Sequence, residues 1–169
     1  TYRGIYVSPG YTQYDHHYQS APSYGAGIEF YNHPTGLSIG FGFQYTKAKP
    51  LSTQPTLRHL VMPSSEIRYY FNQPKRKFSP YIGVNAQINR LGTQFDTPSM
   101  GIGFLAGAKL KVDPSASIFA QVDRNLYSDD TTQLKINSWG IRTGIQFHMK
   151  PRRHQKSAKP TQMKRFQNR

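Results

Sequence analysis

The segment Leu37-Ser38-Ile39-Gly40-Phe41-Gly42-Phe43-Gln44-Tyr45-Thr46 decides the fold class of this chain. Its odd positions carry large apolar or aromatic side chains, and its even positions carry small or polar ones. Successive side chains of a β-strand point to opposite faces of the sheet, so the segment predicts a strand with one apolar and one polar face. In a soluble sandwich the apolar face would form the core, whereas in a membrane barrel it would contact lipid.

The same period-two alternation recurs in five other segments. Two further strands are expected near residues 2–12 and 59–71, which brings the predicted number to eight. The facing of the first strand stays open, because Arg3 shares its parity with Ile5 and Val7. The apolar sets of the five segments are Tyr24, Ala26, Ile28 and Phe30; Ile82, Val84, Ala86 and Ile88; Ile102, Phe104, Ala106, Ala108 and Leu110; Ile118, Ala120 and Val122; and Trp139, Ile141, Thr143, Ile145 and Phe147.

The connections between these strands alternate in length. Short turns rich in Pro, Gly or Asn are expected at residues 32–36, 72–77 and 113–116. Longer polar loops are expected at residues 13–23, 47–56, 91–100 and 125–135. Short turns on one rim and long loops on the other are typical of outer-membrane barrels, whose short turns face the periplasm.

Composition agrees with a barrel and excludes membrane-spanning helices. Only 36% of the 169 residues are hydrophobic, and no run of 18 apolar residues occurs. We therefore expect an all-β fold, an eight-stranded antiparallel up-and-down transmembrane β-barrel over residues 1–148, with a basic C-terminal extension over residues 149–169. A soluble barrel with an apolar ligand and a basic nucleic-acid binder are the soluble alternatives. Because the chain begins at Thr1 without an apolar leader, we expect a mature form.

Aromatic side chains are expected in two girdles at the membrane boundaries, where amphipathic rings are favoured. The predicted girdle residues are Phe30, Tyr69, Phe71 and Phe147 on the short-turn side, and Tyr24, Tyr45, Tyr127 and Trp139 on the long-loop side.

Seven charged residues fall on the polar faces of the predicted strands. The interior of an eight-stranded barrel is just wide enough for side chains to fill it. Because an unpaired buried charge is costly, we expect these groups to pair with one another and with Gln44, Asn85, Gln87 and Gln146. The expected lumen network consists of Glu29, Glu66, Arg68, Lys109, Lys111, Asp123 and Arg142. A narrow ion pathway lined by the same residues is the alternative, and it would make the chain a passive channel of the porin type.

Candidate catalytic or metal-binding residues are few. Asp15-His16-His17 in the first long loop and Asp129-Asp130 in the fourth are the only grouping of the enzyme type. They lack a spacing that would define a base beside an oxyanion hole, and the chain has no cysteine. We therefore predict a non-enzymatic protein without a catalytic site, cofactor or metal.

The net charge of +14 arises largely in the last twenty residues, which carry eight basic residues and no acidic one. With Pro151 and Pro160, this tail is not expected to form a helix or strand alone. We expect it in the periplasm, docked on a partner protein rather than on nucleic acid, while the barrel contacts outer-membrane lipid or lipopolysaccharide. Its expected partner-binding residues are Lys150, Arg152, Arg153, Lys156, Lys159, Met163, Lys164, Arg165, Phe166 and Arg169, with Met163 and Phe166 as apolar anchors.

Two motifs carry a resemblance to a known family. The hydrophobic-Pro step of residues 60–71, which ends in Arg68-Tyr69-Tyr70-Phe71, resembles the fourth strand of the OmpA-like outer-membrane β-barrel domain proteins of Bacteroidota. Ser79-Pro80-Tyr81-Ile82-Gly83-Val84 is similar to the opening of their next strand. The resemblance implies a small barrel that serves an envelope assembly, such as the type IX secretion and gliding machinery. The tail beyond Phe147 departs from the family's pattern.

Overall fold

The computed structural model describes residues 2–14, 18–32, 34–49, 57–72, 76–92, 97–128 and 135–149. These residues form eight antiparallel strands that pair in sequence order and close into a barrel. The strands are β1 (Tyr2–Tyr14), β2 (Ala21–Asn32), β3 (Leu37–Ala48), β4 (Leu57–Tyr70), β5 (Phe78–Gly92), β6 (Thr97–Asp113), β7 (Ala116–Ser128) and β8 (Lys135–Met149). The predicted all-β, eight-stranded up-and-down barrel is confirmed. The described residues include no helix long and apolar enough to cross a membrane.

The first and last strands close the barrel. Ile5 lies opposite Phe147, and Tyr11 lies opposite Ile141, in an antiparallel register between β1 and β8. Closure leaves no strand edge unpaired, which is the condition for placing a sheet in hydrocarbon, where no water can satisfy backbone polar groups.

The apolar face of every strand lies outside. Phe41 is 48% exposed and Ile141 is 62% exposed, whereas the inward residues are mostly polar and buried. The facing of the first strand is settled as well: Ile5 and Val7 point outward with Arg3, and Tyr6 points inward. Most of the predicted girdle residues are exposed: Tyr24, Tyr69, Phe71, Trp139 and Phe147 clearly, and Phe30 and Tyr45 partly. The side chain of Tyr127 is not among those that the structure describes.

A β-bulge in β4 sets which of its residues face inward. Gly42 pairs with Ser64 and Gln44 pairs with Val61, so that two residues of β4, Met62-Pro63, lie opposite a single residue of β3. The extra residue shifts the parity of the strand, as a bulge does. Val61 and Ser64, three positions apart, are both buried, and the residues that follow Ser64 alternate from there.

The loop lengths differ from those predicted. β1 continues to Tyr14, and β5 and β6 pair as far as Leu91 opposite Thr97, within a segment expected to be a loop. Ladder pairing needs no apolar side chains, so the strands extend beyond the point where alternation ends. The connection after Gly92 is therefore shorter than the one after Tyr70, and the contrast between the rims is weaker than expected.

Candidate functional site

Among the described residues, three carboxylates and three cations are buried in the lumen, and they come from five strands. Glu29 comes from β2, Glu66 and Arg68 from β4, Lys109 from β6, Asp123 from β7 and Arg142 from β8. All six are buried, and Glu29, Glu66 and Arg68 are at most 2% exposed. They form five ion pairs, so the buried charges balance.

Glu29 accepts hydrogen bonds from donors on four other strands. Its Oε1 accepts bonds from Ser38 Oγ at 2.7 Å, Tyr70 OH at 2.6 Å and Arg68 Nη1 at 3.4 Å. Its Oε2 accepts bonds from Lys109 Nζ at 2.7 Å and Gln146 Nε2 at 2.6 Å. Five donors on one carboxylate replace its lost hydration, which is the condition for burying the charge.

Glu66 and Asp123 continue the network across the lumen. Arg68 donates to Glu66 through Nε at 3.0 Å and also through Nη2. Arg142 Nη2 donates to Glu66 Oε1 at 3.2 Å, and its Nε donates to Asp123 Oδ1 at 2.9 Å. Asp123 Oδ2 accepts a further bond from Asn125 Nδ2 at 2.5 Å. The result is a continuous chain of charges from β2 to β7.

A layer of aromatic side chains packs against the charges. Tyr31, Tyr70, Tyr81 and Leu105 form a buried cluster. The Arg68 guanidinium lies 5.2 Å from the Tyr81 ring centroid and 5.7 Å from that of Tyr6, and Lys109 Nζ lies 4.8 Å from that of Tyr70. Such contacts favour a buried cation, because the face of the ring is negative.

Glycine makes room for this layer. A Cβ added at Gly107 would lie 2.7 Å from Tyr81 OH, too close for any side chain.

Six of the seven predicted network residues meet, and Lys111 does not. It is partly exposed on the lumen side near the end of β6, next to the register shift before Asp113, and makes no ion pair with any described residue. Of the four amides, Gln146 joins the network, Asn85 donates instead to Asn125 at 2.9 Å, and Gln44 donates to Thr12 at 3.3 Å. Gln87 is buried, and its Nε2 has no hydrogen-bond partner among the described residues.

The tyrosines were missed as network members. Tyr70 has the parity of Arg68 and Glu66, and this parity was the signal that could have found it. Asp15-His16-His17, Asp129-Asp130 and the tail from Lys150 onward lie outside the described residues. Within the part of the chain that the structure describes, no group of three or more His, Cys, Asp or Glu residues could hold a metal ion.

No protein-family model matches the sequence, and no curated protein matches it either. Solved structures do match its fold. Neisserial surface protein A (NspA) shares 18% sequence identity and a TM-score of 0.61, with 86% of this chain and 95% of that chain covered. The N-terminal β-barrel domain of Pseudomonas aeruginosa OprF shares 14% identity and a TM-score of 0.59, with 86% and 97% covered. The chain has the fold of an outer-membrane β-barrel.

The fold by itself does not separate enzymes from other barrels. The outer membrane enzyme PagL is also similar, at 18% identity and a TM-score of 0.54, with 82% of this chain and 97% of that chain covered. At these identities the likeness concerns the fold alone. The function therefore has to be inferred from the side chains of this chain.

Proposed function

We propose that this protein is a non-enzymatic barrel of the bacterial outer membrane, which anchors an envelope assembly and docks its partner through the basic tail. The main observation that supports this proposal is the contrast between an apolar outer wall and a lumen filled by a charge-balanced network. The wall suits acyl chains, which solvate the exposed Phe and Ile side chains better than water does. The network suits a closed scaffold, because its polar groups are occupied with one another.

The tail supplies the docking role in this proposal. β8 ends at Met149 on the short-turn rim, and this rim faces the periplasm in outer-membrane barrels. The proposal therefore has residues 150–169 act on the periplasmic side. Eight basic residues without an acidic one favour an acidic protein surface, and Met163 and Phe166 offer apolar anchors. The resemblance to barrels of Bacteroidota makes a type IX secretion or gliding assembly the specific candidate.

Truncation tests the docking role. A chain ending at Met149 is expected to fold but to lose its partners during affinity purification in mild detergent. Two full-length controls separate the contributions: one replaces the eight basic residues by Gln, and the other replaces Met163 and Phe166 by Ala. Heat-dependent mobility in detergent gels reports whether each barrel has folded. Retention of every partner by the truncated chain would contradict the docking role.

A narrow passive channel is the alternative, and the polar lumen lining is the observation that favours it. Conduction would require ions to pass the Glu66–Arg142–Asp123 bridge, whose groups are paired with one another. The scaffold proposal therefore expects no discrete openings in a planar bilayer, either from the native chain or from Arg142→Gln. Openings in the native chain that disappear in Arg142→Gln would favour the channel.

A further inference from the structure

The outer wall carries a few exposed charges, and they are almost all basic. Among the strand side chains that the structure describes, the exposed charged ones are Arg3, Lys47, Arg90, Arg124 and Asp113. Asp113 is the last residue of β6 and accepts hydrogen bonds from Ser115 of its own turn. The wall thus presents cations to its surroundings.

Arg124 stands out because it lies against an aromatic ring and forms no ion pair with an acidic side chain among the described residues. Its guanidinium carbon lies 5.2 Å from the ring centroid of Trp139, the register neighbour on β8. On its other side lies Phe104 of β6, which is 65% exposed. The carboxylate next to it in sequence, Asp123, points into the lumen and binds Arg142. A cation over an indole ring is attracted to its negative face, and a guanidinium in such a contact keeps its N–H groups as hydrogen-bond donors for a ligand.

Two further polar groups lie at this level. Trp139 is 49% exposed and carries an indole N–H donor. Its register partner on β1 is Gln13, an exposed amide. Arg124, Trp139 and Gln13 therefore form a row of donors across three adjacent strands, which we call the Arg124 row.

The Arg124 row lies at the height expected for a membrane boundary. Along β1, the outward residues between Arg3 and Gln13 are Ile5, Val7, Pro9 and Tyr11, none of them charged. Ten residues of a strand tilted by about 40° rise by about 25 Å, the height of the apolar band in outer-membrane barrels. Arg3 and the Arg124 row then mark opposite edges of the hydrocarbon layer.

We propose that the Arg124 row binds the phosphate group of a lipid headgroup in the leaflet on the long-loop side. The inference rests on the proposed function only in that the barrel must span the outer membrane. A guanidinium binds phosphate with two parallel N–H donors, and the indole and amide N–H groups add neutral donors beside it. The ligand class is a phosphorylated glycolipid, whose acyl chains lie against Phe104 and Trp139.

The test uses the full-length chain in a neutral maltoside detergent. Trp139 is the single tryptophan of the chain, so its fluorescence reports on the row itself. Lipid A is expected to give a saturable change in emission, and lipid A stripped of its phosphates is expected to give none. Arg124→Gln should weaken lipid A binding by about tenfold, the equivalent of one charge-assisted hydrogen bond. Arg124→Lys keeps the charge but loses the two parallel N–H donors, so its affinity for lipid A should lie between those of the native chain and Arg124→Gln.

Arg3→Gln is the matched control. Arg3 is also exposed and also lies over an aromatic ring, 5.9 Å from the centroid of Phe30, but at the other edge of the wall. Its loss should leave the Trp139 response unchanged.

Several outcomes would overturn the inference. They are equal affinities for the native chain and Arg124→Gln, an equal response to the stripped lipid, and saturation by inorganic phosphate alone at the same concentration. If Arg124→Gln fails to fold, Arg124→Lys is the deciding variant. Native affinity of Arg124→Lys for lipid A would then exclude a phosphate bound by two parallel guanidinium N–H donors. The proposed function is tested on the native chain and its tail variants, all of which keep Arg124, so failure of the proposed function would be seen separately.

Discussion

The two halves of the lumen are built differently, although the same strands line both. The half toward the short turns contains Glu29, Arg68 and Lys109 with the tyrosine layer, and each of these charges is bonded to others. Beyond Asp123 and Arg142, the described lumen side chains toward the long loops are polar or, like Tyr14, Ala21 and Ala48, apolar. There the buried Ser23 Oγ and Gln87 Nε2 have no hydrogen-bond partner in the described part of the chain.

Because of this difference, we expect the short-turn end of the barrel to contribute most of the stability that single lumen substitutions can remove. A paired charge costs little while its partner is present and several kcal/mol when the partner is removed, whereas an unpaired amide has no bond to lose. The short-turn half should therefore be sensitive to single substitutions. The long-loop half should tolerate them, which leaves its rim free to vary.

The largest effect is expected for Arg68→Met. The guanidinium serves Glu29 and Glu66 together, and its removal leaves both carboxylates without a cation that they share. We expect a loss of about 3–5 kcal/mol in the free energy of unfolding, the usual cost of breaking a buried pair. Urea titration of the barrel in detergent, followed by Trp139 fluorescence, measures it. A loss below about 1 kcal/mol would contradict the expected difference in sensitivity to substitution between the two halves of the lumen.

A smaller loss is expected for Gln146→Leu, a substitution within the same half. Gln146 Nε2 donates to Glu29 Oε2 at 2.6 Å. A hydrogen bond to a charged group contributes about 1.5–3 kcal/mol, and the unfolding free energy should fall by that amount. The same urea titration applies, with equal slopes required so that the two transitions are comparable.

The smallest effect is expected for Gln87→Leu, the matched substitution in the long-loop half. Gln87 is buried like Gln146, but its Nε2 has no partner among the described residues. Replacement of an unpaired buried amide by an apolar group of similar size should change stability by less than about 1 kcal/mol, in either direction. If Gln87→Leu costs as much as Gln146→Leu, burial rather than charge pairing determines the sensitivity.

The sequence predicted the faces of the barrel better than its contacts. Alternation of the kind seen at residues 37–46 shows directly which side chains share a face, and all seven predicted lumen charges lie on the inward side of their strands. The alternation did not reveal the hydrogen-bond partners of each charge, because Lys109 and Gln146 reach Glu29 across the lumen from strands that are distant in sequence. These contacts depend on the register stagger of the closed barrel, which the alternation within a single strand does not encode.

Two errors have local causes. Lys111 was placed in the network by parity alone, but it lies at the strand end, where the register shifts and the lumen opens. Tyr70 and Tyr81 were left out of the expected network, although they share the inward parity of their strands and are buried. Counting hydroxyls along with charges on the inward face would have found both.

The most direct test of the central claim is the environment of the outer wall. The chain has no cysteine, so Phe41→Cys gives a single site for a spin label on the exposed face of β3. With the protein refolded into lipid vesicles, collisions of the label with dissolved oxygen should exceed those with a water-soluble nickel chelate, as in hydrocarbon. The reverse order, in a folded chain, would show that water covers this wall and would contradict the account.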